Sequence, residues 1–126
     1  MIAVIDTDEK QCRELCLFLE ERQHRAIPMH ALARMESCVH DNIFEADIIG
    51  INTVPVDDQI IKELKTKNPN SFLFFLSKDR FHPHLRESLG SHVFACISRP
   101  IDLEEFFYCL NVIDKIEAIQ IIYWRE

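Results

Sequence analysis

Glycine is scarce in this sequence of 126 residues, where Gly50 and Gly90 are the only two. Phosphate-binding loops need several glycines, because their backbone turns tightly and approaches the phosphate closely. A nucleotide-binding loop and a dinucleotide fingerprint are therefore excluded. The sequence also lacks any apolar run approaching the ~20 residues of a membrane-spanning helix. We therefore expect no membrane segment.

A disulfide framework is missing as well, because the cysteines are odd in number and irregularly spaced. The five are Cys12, Cys16, Cys38, Cys96 and Cys109. Cys12 and Cys16 are four residues apart, but no second Cys or His pair has metal-binding spacing. We expect free thiols and neither a metal nor a cofactor. With no signal peptide before the first predicted strand, these thiols favour the reducing cytoplasm.

Positive charge is in deficit, with 14 Lys and Arg against 21 Asp and Glu and a formal net charge of -7. Phosphate repels a net negative surface, so we expect no direct nucleic-acid or membrane partner. The apolar fraction of 48% and the charged fraction of 28% are ordinary for one soluble globular domain.

Five short apolar runs are predicted to be β-strands. They are Ile2–Ile5, Ala26–Met29, Asp47–Ile51, Phe72–Leu76 and Val93–Ile97. Four of them are almost continuously apolar, which is typical of strands covered on both faces of a parallel sheet. Pro28 interrupts the second run and predicts an edge strand.

Helical periodicity follows each strand. The predicted helices are Asp8–Arg22, His30–His40, Val56–Lys67, Pro83–Leu89 closed by Gly90, and a last helix that starts at Asp102. Strand and helix thus alternate five times with short connections. This order predicts an α/β fold, a flavodoxin-like three-layer sandwich around a doubly wound five-stranded parallel sheet in the order 2-1-3-4-5.

Polar residues follow four of these strands. Asp6, Thr7 and Asp8 follow the first, Asn52 the third, Ser77 the fourth, and Arg99 with Pro100 the fifth. Because ligands of open α/β sheets bind at the carboxyl ends of the strands, we expect these side chains to converge on one small polar pocket.

In order and spacing, these residues resemble the receiver domains of two-component response regulators, over about residues 1–114. Receivers carry an acidic pair after strand 1, a phospho-accepting Asp after strand 3, a Thr or Ser after strand 4 and Lys-Pro after strand 5. Asn52 stands at the acceptor position, Ser77 at the hydroxyl position and Arg99-Pro100 at the Lys-Pro position. The resemblance implies a cis Arg99–Pro100 peptide bond.

Four functional positions depart from the family pattern. Asn52 carries an amide, which is a poor nucleophile, and Thr7 replaces the second acidic residue. Arg99 replaces the lysine, and Cys96 stands at the aromatic switch position. The resemblance therefore implies a relic phosphorylation pocket without Mg²⁺ or catalytic residues. Its members are Asp6, Thr7, Asp8, Asn52, Ser77 and Arg99.

Without a metal, Asp6 needs another positive partner if it is buried, because an unpaired buried carboxylate is costly. Arg99 has a forked guanidinium that matches a carboxylate. We predict that Arg99 reaches Asp6, with Asn52 and Ser77 as neutral hydrogen-bonding neighbours. The alternative is that Arg99 turns outward and leaves Asp6 to water.

The C-terminal segment 115–126 extends the last helix beyond the receiver-like domain 1–114. Cys109, Val112, Ile116, Ile119 and Tyr123 alternate at spacings of three and four, which predicts an interface stripe. The stripe favours a homodimer or a contact with an attached output domain. Its alternative use is against the domain itself, whose sheet we expect to be covered by Phe106 and Leu110.

The leading interpretation is a non-enzymatic pseudo-receiver, a regulatory module that contacts a protein partner or output domain in signal transduction or transcriptional control. By the resemblance, its contact surface is the fourth helix, fifth strand and fifth helix. One alternative is a true phosphorelay receiver with an unusual acceptor, Asp8 or Asp47. A second is a flavodoxin-like enzyme domain, although no convincing pair of base and nucleophile is present.

Overall fold

The fold is a parallel five-stranded sheet with strands in the order β2-β1-β3-β4-β5, as predicted. The structure, a computed structural model, describes residues 1–34, 44–79 and 82–125, with side chains of the last helix described as far as Ile116. The strands are β1 (Ile2–Ile5), β2 (Ala26–Met29), β3 (Ala46–Gly50), β4 (Phe72–Ser77) and β5 (Ala95–Ser98). All neighbouring strands pair in parallel.

The described part of the chain contains four α-helices. They are α1 (Glu9–Glu21), α2 (Asp58–Lys67), α3 (Arg86–Ser91) and α4 (Leu103–Arg125), with a short 3-10 turn at Pro83–Leu85 before α3. The predicted helix His30–His40 lies largely outside the described residues, as does Cys38.

Carboxylates start three of these helices. Asp8 caps α1 by accepting a hydrogen bond from the Gln11 amide at 3.1 Å. Asp57 and Asp102 do the same for α2 and α4. These caps satisfy backbone N–H groups that have no partner inside the helix.

The expectation that Gly90 closes the fourth helix is wrong. Gly90 lies inside α3, which continues to Ser91, and its φ is not positive. The backbone hydrogen bonding of the helix extends past Gly90, because the His92 amide donates to the Ser88 carbonyl at 2.8 Å.

Apolar side chains cover both faces of the sheet, which explains the continuous apolar runs. On one face α1 and α4 pack on the strands through Cys12, Leu15, Cys16, Leu19, Phe106, Leu110 and Ile113. On the other face lie α2 and the segment before α3, through Ile61 and Leu85. Within the described residues, no helix is both long enough and apolar enough to span a membrane.

Candidate functional site

An ion pair lies at the carboxyl end of the sheet. Nη2 of Arg99, just after β5, is 2.7 Å from Oδ2 of Asp6, just after β1. The Asp6 residue is only 2% exposed, and the Arg99 side chain is 13% exposed. The predicted contact between Arg99 and Asp6 is therefore confirmed, and both charges are largely removed from water.

Three further polar groups complete this pair. Thr53 Oγ1 donates to Oδ1 of Asp6 at 2.7 Å, and the Asp8 amide donates to the same oxygen at 2.9 Å. The second amino group of Arg99 donates to Oε1 of Gln11 on α1. A buried ion pair is stabilised when its other polar atoms also have partners, and here Thr53 bonds the second oxygen of Asp6 and Gln11 bonds the second amino group of Arg99.

The expectation that Asn52 supports the pair is wrong. Its amide donates instead to Oδ2 of Asp79 at 3.0 Å, and its oxygen accepts from the Lys78 amide at 2.7 Å. The Asp79 carboxylate and the Lys78 backbone amide are adjacent after β4, so the nitrogen and the oxygen of the Asn52 side chain both have partners there. Asn52 therefore joins the loops that follow β3 and β4.

Ser77 also turns away from the ion pair, against expectation. Its buried hydroxyl accepts from the Asp79 amide at 3.0 Å and lies 2.9 Å from Nε2 of His82 and 3.1 Å from the Asp79 carbonyl. Asp79 and His82, which follow β4, supply all three partners. Ser77 therefore bonds Asp79 and His82, and the hydroxyl that contacts Asp6 belongs to Thr53 instead.

The remaining pocket positions and the switch position, Cys96, have separate roles. Thr7 is exposed and lies 3.4 Å from the hydroxyl and the carbonyl of Thr53. The carboxylate of Asp8 caps α1, and Cys96 is an exposed residue of β5. The Arg99–Pro100 peptide bond is cis, as predicted.

Gly50 allows the ion pair to lie against the end of β3. A Cβ atom at this position would be 2.8 Å from Oδ2 of Asp6 and 3.2 Å from Nη2 of Arg99. Any larger residue would have to displace the pair. The cavity that remains beside it measures only about 60 Å³.

The donor set does not fit the Mg²⁺ ion of a receiver. Mg²⁺ needs oxygen ligands, of which carboxylates are the usual protein source. Asp6 is already neutralised by Arg99, Asp8 caps a helix and Asn52 faces Asp79. Within the described residues, no group of three or more His, Cys, Asp or Glu side chains is arranged to hold a metal.

Asp47, one of the alternative acceptors, lies far along β3 from the pocket. It occupies the second position of the strand, whereas the pocket adjoins the strand's last residue, Gly50. Asp47 is 5% exposed, and one oxygen accepts from Ser71 Oγ at 2.9 Å. Burial raises the pKa of Asp47 to about 6. This carboxyl is enclosed and out of reach of the strand ends.

The predicted interface stripe adjoins the buried face of α4. Phe106, Leu110 and Ile113 are buried against the sheet, whereas Cys109, Val112 and Ile116 are only partly buried. The side chains of Ile119 and Tyr123 lie outside the described residues.

The sequence matches no protein-family model, and no curated protein is significantly similar to it. The fold is similar to solved receiver domains. A signal receiver domain of an HD domain-containing protein from Pseudomonas fluorescens has a TM-score of 0.81 at 13% identity, covering 93% of this chain and 95% of that chain. A response regulator receiver domain from Methanospirillum hungatei has a TM-score of 0.80 at 13% identity, with the same coverages of 93% and 95%.

A third similar structure is a response regulator from Burkholderia pseudomallei that holds a phosphorylated aspartic acid and a calcium ion. Its TM-score is 0.75 at 15% identity, covering 97% of this chain and 73% of that chain. At these identities the likeness establishes the fold, which is that of receiver domains.

Proposed function

We propose that this chain is a pseudo-receiver, a signal-transduction module that regulates a protein partner or an attached output domain without being phosphorylated. The Asp6–Arg99 ion pair carries the proposal. It occupies the region where the resemblance to receivers places the metal and the phosphoryl group. The Burkholderia structure holds a phosphorylated aspartate and a calcium ion, whereas this chain has an arginine on its remaining carboxylate and an amide at the acceptor position.

The ion pair also explains why such a domain would stay in one state. Metal binding at Asp6 would require Arg99 to leave, and separating one partner of a buried ion pair typically costs about 3–5 kcal/mol. Thr53 and Gln11 would lose hydrogen bonds at the same time. The domain is therefore proposed to act through a constant surface instead of a switched one.

Magnesium titration of the purified protein tests this closed pocket. We expect the melting temperature to be unchanged by Mg²⁺, because Arg99 occupies the carboxylate of Asp6 and neither Thr7 nor Asn52 supplies a second one. The matched control is the variant Thr7→Asp/Asn52→Asp/Arg99→Lys, which restores the acidic residues and the lysine of the family pattern. A Mg²⁺-dependent rise in the wild type would contradict the proposal.

Partner contact is proposed to use the surface of α3, β5 and α4, together with the stripe on α4. This helix has 23 residues, roughly 35 Å, and continues well past the core residue Ile113. We propose that the segment 115–126 mediates homodimerisation or contact with an output domain. Deleting 115–126 should lower the mass measured by light scattering and leave the circular dichroism of the sheet intact. If the full chain is a dimer and the shortened chain is still a dimer, the interface lies elsewhere.

We also propose a cytoplasmic location and a non-enzymatic role. Cys12 and Cys16 are buried free thiols, and Cys96 and Cys109 are also free, which is consistent with a reducing compartment. The net negative charge supports a protein partner over nucleic acid or an anionic membrane.

A further inference from the structure

A second and much larger cavity opens beside the strand-end pocket. It lies between α1 and the segment that joins β5 to α4, and it measures about 670 Å³. Small organic ligands typically occupy clefts of roughly 300–1,000 Å³ that are mainly apolar and have a few polar groups. The size therefore suits a small molecule, in contrast to the 60 Å³ left beside the ion pair.

Apolar side chains form the walls of this cleft. Leu15 and Phe18 contribute from α1, and Pro100, Ile101 and Leu103 contribute from the opposite side. Leu103 is 36% exposed, and the centre of the Phe18 ring lies 5.8 Å from that of Phe107, a contact that restricts the Phe18 side chain. The walls therefore offer a stable apolar surface to a ring or a short aliphatic chain.

Positive charge is concentrated at the end of the cleft nearest the ion pair. Lys78 is exposed, and its ammonium group makes no hydrogen bond or ion pair with the described residues. Arg99 also lines this end, and its interactions with Asp6 and Gln11 leave some of the five guanidinium N–H donors available. Glu14 is an exposed carboxylate in the lining and Arg99 is already paired with Asp6, so Lys78 supplies the positive charge at this end that the described residues leave without a partner.

We propose that this cleft binds a small amphipathic monocarboxylate. The apolar body lies between Phe18 and Ile101, and the carboxylate faces Lys78 and Arg99. Glu14, which also lines the cleft, disfavours ligands with a second negative charge, because like charges repel. The site depends on neither Mg²⁺ nor phosphorylation, so it stands independently of the proposed pseudo-receiver function.

Titration of ¹⁵N-labelled full chain with hydrocinnamate tests the proposal, with the uncharged amide of the same acid as the matched probe. We expect roughly millimolar binding of hydrocinnamate, since a ligand this small has limited binding energy. Amide resonances on α1 and in residues 99–103 should shift. The uncharged probe should bind about tenfold more weakly, as expected for loss of one charge-assisted hydrogen bond.

Three variants distinguish the charged end from the apolar walls. Lys78→Gln should lower the affinity for hydrocinnamate about fivefold and leave the affinity for the amide probe unchanged. Glu14→Gln should raise the affinity for hydrocinnamate. Lys62→Gln, an exposed lysine on α2, is the control and should change neither. Absence of binding at millimolar concentration, equal affinity for the two probes, or shifts confined to other faces would each overturn the proposal.

Discussion

Arg99 and Asp6 are joined by a hydrogen-bonded ion pair of 2.7 Å although β3 and β4 lie between the strands that position them. The arginine follows β5, at one edge of the sheet, and its side chain reaches across the strand ends to the residue after β1. The pair lies directly against Gly50, the last residue of β3. This contact therefore links the ends of β1 and β5 across the carboxyl edge of the sheet.

Arg99→Ala should destabilise the fold by about 3 kcal/mol, because it leaves the carboxylate of Asp6 buried without a cation. Urea unfolding at neutral pH measures this loss. Arg13→Ala, which truncates an exposed arginine on α1, is the control and should cost less than about 0.5 kcal/mol. Adding Asp6→Ala to the Arg99→Ala variant should recover part of the stability. Equal losses for Arg99 and Arg13 would show that the pair contributes nothing.

Gly50→Ala should destabilise the protein by roughly 1–3 kcal/mol, because its methyl group would lie 2.8 Å from Oδ2 of Asp6. Gly90→Ala is a matched control, since nothing lies within 4 Å of a Cβ at that position. Gly90 is inside α3, so alanine there should stabilise by up to about 1 kcal/mol. Comparison of the two unfolding midpoints checks the prediction, and similar effects of both substitutions would contradict it.

Asn52→Asp should fail to restore receiver chemistry and should destabilise the loops by about 1 kcal/mol. The new carboxylate would face Oδ2 of Asp79 across the 3.0 Å now spanned by a hydrogen bond. Asp79→Asn added to this variant should recover the lost stability, because it restores a donor between the two side chains. A double-mutant cycle in urea measures this coupling, and additive effects would show that the two residues do not interact.

Stability should depend on pH through Asp47. Burial raises its pKa from the ordinary 3.8 to about 6, against the opposing effects of the Ser71 hydrogen bond and the Lys65 charge. Because the folded state binds this proton more tightly, its stabilising effect is complete below pH 3.8 and is lost as the pH rises through 6.

The free energy of unfolding of the wild type should therefore fall by about 2 kcal/mol between pH 4 and pH 8, relative to that of the Asp47→Asn variant. Unfolding in urea across this range, with both proteins in the same buffers, gives the difference directly. Parallel pH profiles would mean that Asp47 titrates normally in the folded protein.

Most of the sheet could be predicted, because buried parallel strands have continuous apolar sequences. The runs Ile2–Ile5 and Ala26–Met29 coincide with β1 and β2. β5 begins at Ala95, two residues later than the predicted start at Val93. An apolar sequence indicates which residues are buried but not where strand pairing starts. Val93 packs against the core although it precedes the paired residues of β5.

The contact between two opposite charges in the candidate site could be predicted from the sequence. The contacts that depend on the position of a loop could not. Asp6 needed a cation once it was buried, and Arg99 was a cation expected at the same edge of the sheet, after β5. Asn52 and Ser77 were misassigned because their partners, Asp79 and His82, lie in a loop whose path no residue pattern indicates. Thr53 and Gln11 carried only weak signals, a hydroxyl near a strand end and an amide in the first turn of α1.

Intact-mass spectrometry after incubation with acetyl phosphate and Mg²⁺ tests the central claim most directly. The account predicts an unchanged mass for the wild type, because Asn52 offers no nucleophile and Arg99 occupies the carboxylate of Asp6. A receiver domain with the usual acidic residues serves as the positive control for the phosphodonor. A stable, stoichiometric gain of one phosphoryl group, mapped to the strand-end pocket of the wild type, would contradict the account.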